Sequence, residues 1–349
     1  MVLHELFERI HEYTPLFEVV VGAFCVLLNV YFSFRLNQLT TMNVNLKFTL
    51  VTTNIATALV AVCHSANMLP LHVYTLHGNY IVPRLMALFV YTCFFIHHCC
   101  VCVIDIKFIL LGLERRFAFQ QREVYEHDNG ACGRKLLVIT IGLVISETLI
   151  RCILKYFTST ETDIDLLLRD IFLLENSPAM IFVCHVVCFI SLVYGFLEFH
   201  FLNHSTAHSR YSSKSLSESY QLKEVQSVIK IVRPLLWFYF ACAQVCVVCA
   251  AVMVYVIYFL PEPDMKVYHH MIALENIAIG SYNLFSTIFM LLHFSKLRVI
   301  VFNDLLRLFC LNRRYSSVTP NSGFVVENAE HFQNLQSMWD QRLQKKMFG

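Results

Sequence analysis

The sequence predicts an all-α integral membrane protein: a seven-transmembrane helix bundle with its N-terminus outside and its C-terminus inside. Three observations carry this expectation. Seven long stretches are almost free of charge, the Lys and Arg residues between them favour alternate sides, and most of the prolines sit at the ends of the stretches. A run of about 18 or more apolar residues is long enough to cross a bilayer. Seven crossings place the two termini on opposite sides. Counted segment by segment, one side holds 21 Lys and Arg and the other 6, and the richer side is expected in the cytoplasm.

Composition agrees. Of 349 residues, 57% are hydrophobic and only 15% charged, against about 25% charged in ordinary soluble domains. The net charge of +2 gives no electrostatic case for nucleic-acid binding. One bundle uses nearly the whole length. It divides into an extracellular N-terminus (1–14), the seven-span region (15–295), a juxtamembrane amphipathic helix (296–311) and a cytoplasmic tail (312–349). The opening MVLHELFERIHEY is acidic and lacks a basic n-region and a small-residue cleavage site, so no cleaved signal peptide is expected.

The first run is Pro15–Phe34 and the second Phe48–Leu69. The third, Leu85–Ile104, continues to Leu113. It contains Asp105 and Lys107, which lie two positions apart and so point to different helix faces. The fourth, Leu136–Ile150, is the shortest. It carries Glu147 and Arg151 at i, i+4, able to pair, and reaches a full span if the helix continues to Phe157. The fifth is Pro178–Leu197. Before the sixth, Pro234–Leu260, Ser215 and Glu218 fit a capping box, and Leu222, Val225, Ile229 and Val232 recur at helical spacing. A cytoplasmic helix is expected there, with Pro234 as its break from the span. The seventh run is Met271–Phe294. With no proline expected mid-span, bends are expected at Gly142, Gly195 or Gly280, or nowhere.

Beyond the seventh run, Lys296–Leu311 reads as an amphipathic helix with Leu297, Val301, Leu305 and Leu308 on one stripe. Cys310, beside Asn312-Arg313-Arg314, is a lipidation candidate. Eleven of the fourteen cysteines fall in spans, where a free thiol packs as a small apolar group. A Cys93–Cys152 disulfide is the pairing left open. Cys99, Cys100 and Cys102 lack the spacing of a zinc site. No metal or cofactor is expected.

At the inner end of the third run stand Glu114, Arg115 and Arg116. The acid–arginine pair resembles the ionic lock of G-protein-coupled receptors, in which the arginine pairs at rest and swings to a partner when the helices part. The stretch Leu216, Ser217, Tyr220, Gln221, Glu224 resembles the Leu-Ser-x-Arg-Tyr-Gln-x-x-Glu-Asn motif of nematode serpentine chemoreceptors of the Sra superfamily, with Ser219 and Val225 in place of the Arg and Asn. Glu114-Arg115-Arg116-Phe117-Ala118, with Tyr125-Glu126, resembles the Glu-Arg-x-x-Ala…Tyr-Glu pattern of the Sre family, which the chain resembles most. The resemblance implies a G-protein-coupled chemosensory receptor in the surface membrane of a sensory neuron, with a small-molecule chemical cue, a heterotrimeric G protein and membrane lipid as partners.

A ligand site is then expected between the outer halves of spans three, five, six and seven. The candidate residues are Tyr91, Phe94, Phe95, His97, His98, His185, Tyr255, Tyr258, Glu275 and Asn276. Glu114, Arg115, Arg116, Lys223, Lys230 and Arg233 are candidates for coupling to the G protein. Two other readings stay open. A seven-span ligand-gated channel has its N-terminus inside, which the charge bias opposes. A metal-dependent membrane enzyme could use His200, His204 and His208, which share a helix face, but it would need further ligand boxes that the sequence does not supply.

Overall fold

A computed structural model describes residues 2–39, 42–76, 84–122, 131–158, 178–211, 216–262 and 264–309. Every regular element among them is a helix: α1 Val2–Gln38, α2 Val44–Leu76, α3 Arg84–Asp105, α4 Lys107–Gln120, α5 Ala131–Thr158, α6 Pro178–Tyr211, α7 Leu216–Tyr258, α8 Met265–His293 and α9 Ser295–Leu308. The chain forms two compact units, Met1–Leu291 and Leu292–Gly349. The first contains α1–α7 and nearly all of α8, and the second contains α9.

Within the first unit the surface is inverted relative to a water-soluble protein. Val138, Phe182, Leu197 and Val248 are 69%, 67%, 67% and 63% exposed, whereas Asn29, Asn54, Arg151 and Thr287 are buried. Lipid tails are as apolar as leucine, so polar groups turn inward and find partners between helices. Thr287 donates to Asn29 Oδ1 at 3.0 Å, Cys25 donates to the Gly280 carbonyl at 3.1 Å, and the Gly133 amide donates to Asn45 Oδ1 at 2.9 Å. Five helices are alone long and apolar enough to cross a membrane. The count reaches seven when α3 with α4, and the pair that begins with α8, are each taken as one span. The bundle is therefore a seven-helix one, as the apolar runs predict.

Two local expectations are corrected. The bend of the bundle is not at a glycine: α3 and α4 meet at 53° across Ile106, whose backbone (φ −92°, ψ 5°) leaves the helical well. Ile106 lies between Asp105 and Lys107. Gly195 instead permits close approach, since a Cβ there would lie 3.1 Å from Phe108 Cβ and 3.2 Å from Leu236 Cδ2. Pro234 does not break the sixth span either. It lies inside α7, a single helix of 43 residues. Proline removes one backbone donor, and the carbonyl it frees belongs to Lys230, near the expected water boundary where it can be hydrated.

The fourth span gains its length as the pattern required, with α5 running 28 residues to Thr158. Leu222, Val225, Ile229 and Val232 are all buried along α7. Cys93 and Cys152 are both free thiols, so the open disulfide pairing is not formed. The Ser215 half of the expected capping box lies outside the described residues. In the second unit, α9 spans 14 residues of the segment with the amphipathic stripe, and Leu305 and Leu308 on it are exposed. Cys310 lies outside the described residues.

Candidate functional site

A cavity of about 180 Å³ opens between α3, α6, α7 and α8. Helical periodicity builds its walls. His97, Val101, Ile104 and Asp105 form one stripe of α3, and Cys184, His185, Cys188, Phe189 and Leu192 one stripe of α6. Tyr239, Cys242, Ala243, Cys246 and Val247 supply the α7 wall, and Ile272, Glu275, Asn276, Ile279 and Asn283 the α8 wall. The lining is mainly apolar with a few polar groups, the usual character of a small-molecule site. By comparison, an apolar cavity of about 150 Å³ holds one benzene.

The structure brings four of the ten candidate ligand residues to this cavity: His97, His185, Glu275 and Asn276. His185 Nε2 lies 3.2 Å from Glu275 Oε1, while Nδ1 is 2.8 Å from the Ile181 carbonyl and must donate to it. The Glu275 contact is at ion-pair distance but is not an aligned hydrogen bond, since Nε2 makes none.

The others go elsewhere. Phe95, Tyr255 and Tyr258 are 54%, 56% and 66% exposed and face away from the bundle, because they lie out of phase with the lining stripes. Phe94 is buried but is not among the lining residues. His98 is buried beside α5, its Nε2 2.8 Å from Thr148 Oγ1. The Thr148 hydroxyl already donates to the Val144 carbonyl at 2.8 Å, so His98 is the donor in that bond. The Tyr91 side chain lies outside the described residues.

Asp105, given no role by the sequence, lies in the cavity wall next to the break at Ile106. Tyr239 donates to Cys188 Sγ at 3.1 Å, and Cys188 donates to Asp105 Oδ1 at 3.0 Å. Asp105 Oδ2 is buried with no hydrogen-bond partner. Lys107 is held by rings rather than by a carboxylate. Its Nζ lies 4.2, 4.7 and 5.3 Å from the ring centres of Tyr282, Tyr239 and Phe108.

Behind the cavity, Arg151 on α5 pairs with Glu147 and donates to Cys184 Sγ. Ligand atoms of Asp105, Glu147 and Cys184 lie within 4.8 Å of one another, close enough to share a metal ion. The Arg151 guanidinium, bonded to two of the three, already supplies a positive charge there. His200, His204 and His208 are exposed along α6.

At the inner ends the acid–arginine pair suggested by the sequence is present, and the structure adds two partnerships that the sequence did not suggest. Glu114 and Arg115 form an ion pair, 0% and 1% exposed. Arg116 Nη1 reaches Glu198 Oε2 on α6 at 2.8 Å, and Arg122, just beyond α4, pairs with Glu218 near the start of α7. Gly112 lets α4 and α6 approach, since a Cβ there would come within 2.9 Å of Tyr194. Lys223, Lys230 and Arg233 are exposed on α7. Glu198 was legible as the lone acid at the inner end of the fifth span. Arg122 and Glu218 lie 96 positions apart, and nothing local links them.

The sequence matches the family described as serpentine type 7TM GPCR receptor class ab chemoreceptor over residues 9–307. No curated protein matches it. The matched class is ab, and the Sre assignment favoured by the short motifs is not supported. Motifs of five or six residues carry little power to discriminate, and the departures at Ser219 and Val225 lower it further.

Proposed function

Because the chain belongs to the serpentine class ab chemoreceptor family, we propose that the cavity between α3, α6, α7 and α8 is where its chemical cue binds and that the inner ion pairs report that binding to a G protein. The protein is a G-protein-coupled chemosensory receptor and an integral multi-pass membrane protein. The finer reading is that it serves in the surface membrane of a sensory neuron, oriented N-terminus out by its charge bias. A heterotrimeric G protein then meets the end of the bundle that carries Glu114, Arg115, Arg116, Arg122, Lys223, Lys230 and Arg233.

The observation that carries this reading is the course of the third span. One end of it, α3, lines the cavity, and the other, α4, holds the inner pairs, with a 53° break between them. Arg116–Glu198 ties α4 to α6, and Arg122–Glu218 ties the end of α4 to α7. A cue that binds the open bundle better than the closed one shifts the population toward the open form, in which those ties are broken. Exposed Lys223, Lys230 and Arg233 supply a basic rim for the partner, and Cys310 is the lipidation candidate.

The cavity assignment is tested by filling it. Ala243 lines the α7 wall. In cells that express the receptor with a calcium reporter, Ala243→Phe abolishes responses to cues that activate the unaltered receptor, at equal surface density. Undiminished responses in Ala243→Phe would place cue binding elsewhere.

A further inference from the structure

We propose that the cavity selects small organic amines, with the Asp105 carboxylate as the counter-charge for the ligand's ammonium group. The proposal rests on the cavity being the cue site and names the chemical class it takes.

The argument begins with what is left unsatisfied. Asp105 is 6% exposed, lines the cavity, and its Oδ2 has no hydrogen-bond partner. Its Oδ1 receives a thiol hydrogen from Cys188 at 3.0 Å, a weak donor, and a second thiol, Cys184, lies near it. A carboxyl group in the interior of a membrane bundle is costly and faces a partner or a pathway. Each protein cation near it is engaged elsewhere. Lys107 sits among three aromatic rings, and Arg151 is bonded to Glu147 and Cys184.

The other charged groups of the lining are accounted for. Glu275 Oε1 is set against the His185 imidazole, 3.2 Å from Nε2. No Lys or Arg lines the cavity. With Glu275 set against His185, the Asp105 carboxyl group is what makes the wall attractive to a cation and repellent to a carboxylate ligand. Asn276 Nδ2, a buried donor without a partner, offers a second polar contact. The remaining wall is apolar, with Ile104, Phe189, Leu192, Val247 and Ile279 placed to take a hydrocarbon body. At about 180 Å³, the space suits one ring or a short branched chain with a single amino group.

The test uses the full-length receptor purified in detergent, with thermal unfolding followed by a thiol-reactive dye. Benzylamine and cyclohexylamine are compared with benzyl alcohol, cyclohexanol and benzoate. The amines raise the unfolding midpoint, and the alcohols need concentrations higher by about tenfold or more for the same shift, the usual worth of a hydrogen bond to a charged group. Benzoate gives no shift. Asp105→Asn removes the preference for amine over alcohol, whereas Glu275→Gln keeps it. The comparison on the unaltered receptor decides the matter even if Asp105→Asn fails to fold. Equal or tighter binding of alcohols, binding of benzoate, no shift by either amine, or amine preference surviving in Asp105→Asn would overturn the proposal. If only the ligand class is wrong, neutral or anionic probes bind and Ala243→Phe blocks them. If the cavity is not the site at all, Ala243→Phe leaves every probe's effect unchanged.

Discussion

Arg151→Ala costs about 3–5 kcal/mol of bundle stability and strips the receptor from the cell surface, the expected result of removing one partner of a buried ion pair. Arg151 is 0% and Glu147 4% exposed, and the pair lies one turn apart on α5, facing inward. The guanidinium also donates to Cys184 on α6, so the loss unties two helices as well as leaving Glu147 uncompensated. Glu147→Ala has the same sign and strands the guanidinium. Replacing both, as Glu147→Leu with Arg151→Met, recovers most of the loss because no charge remains buried and the volumes stay similar. Surface labelling and thermal unfolding of the three variants check the order. Additive losses in the double variant would mean that the two residues do not act as a pair.

The second large effect is on signalling without a cue. Arg122→Ala and Glu218→Ala each raise basal activity by roughly tenfold or more. Glu218 is 4% exposed and Arg122 30% exposed, so their bond is partly shielded from water. Hydrogen bonds to charged groups contribute about 1.5–3 kcal/mol, and each 1.4 kcal/mol is about a tenfold shift in an equilibrium. If the bond exists in the closed bundle alone, its loss moves the population toward the open form by that factor. The exchanged pair Arg122→Glu with Glu218→Arg returns basal activity toward the starting level. A second-messenger assay in unstimulated cells, normalised to surface density, reads the effect. Unchanged basal output in both single variants would remove this pair from the switch.

Much of the fold is legible in the sequence because the bilayer imposes a length on every element. Runs such as Pro178–Leu197 and Pro234–Leu260 needed no tertiary information to be read as spans; α6 contains the first, and α7 contains all of the second but its last two residues. The bend at Ile106 was not legible. It has no proline or glycine at the break, and it sits between two charges whose fate depends on rings from α7 and α8. Pro234 misled for the opposite reason, since the carbonyl it frees lies near the expected water boundary and the helix runs on through it. Of the site, His97, His185, Glu275 and Asn276 were found by depth and chemistry. Phe95, Tyr255 and Tyr258 were chosen by residue type with no regard to helical phase, which turns them outward. The phase itself was available: positions 181, 184, 185, 188, 189 and 192 form a single stripe.

The central claim is that a cue in the transmembrane cavity opens the inner end of the bundle to a G protein. It is tested most directly by nucleotide exchange on a purified heterotrimer with the receptor in lipid nanodiscs. The account predicts that an activating cue accelerates GDP release when the intact receptor is present and fails to do so with Ala243→Phe. A cue-evoked ion current across a bilayer that contains the receptor alone, with no acceleration of exchange, would contradict it.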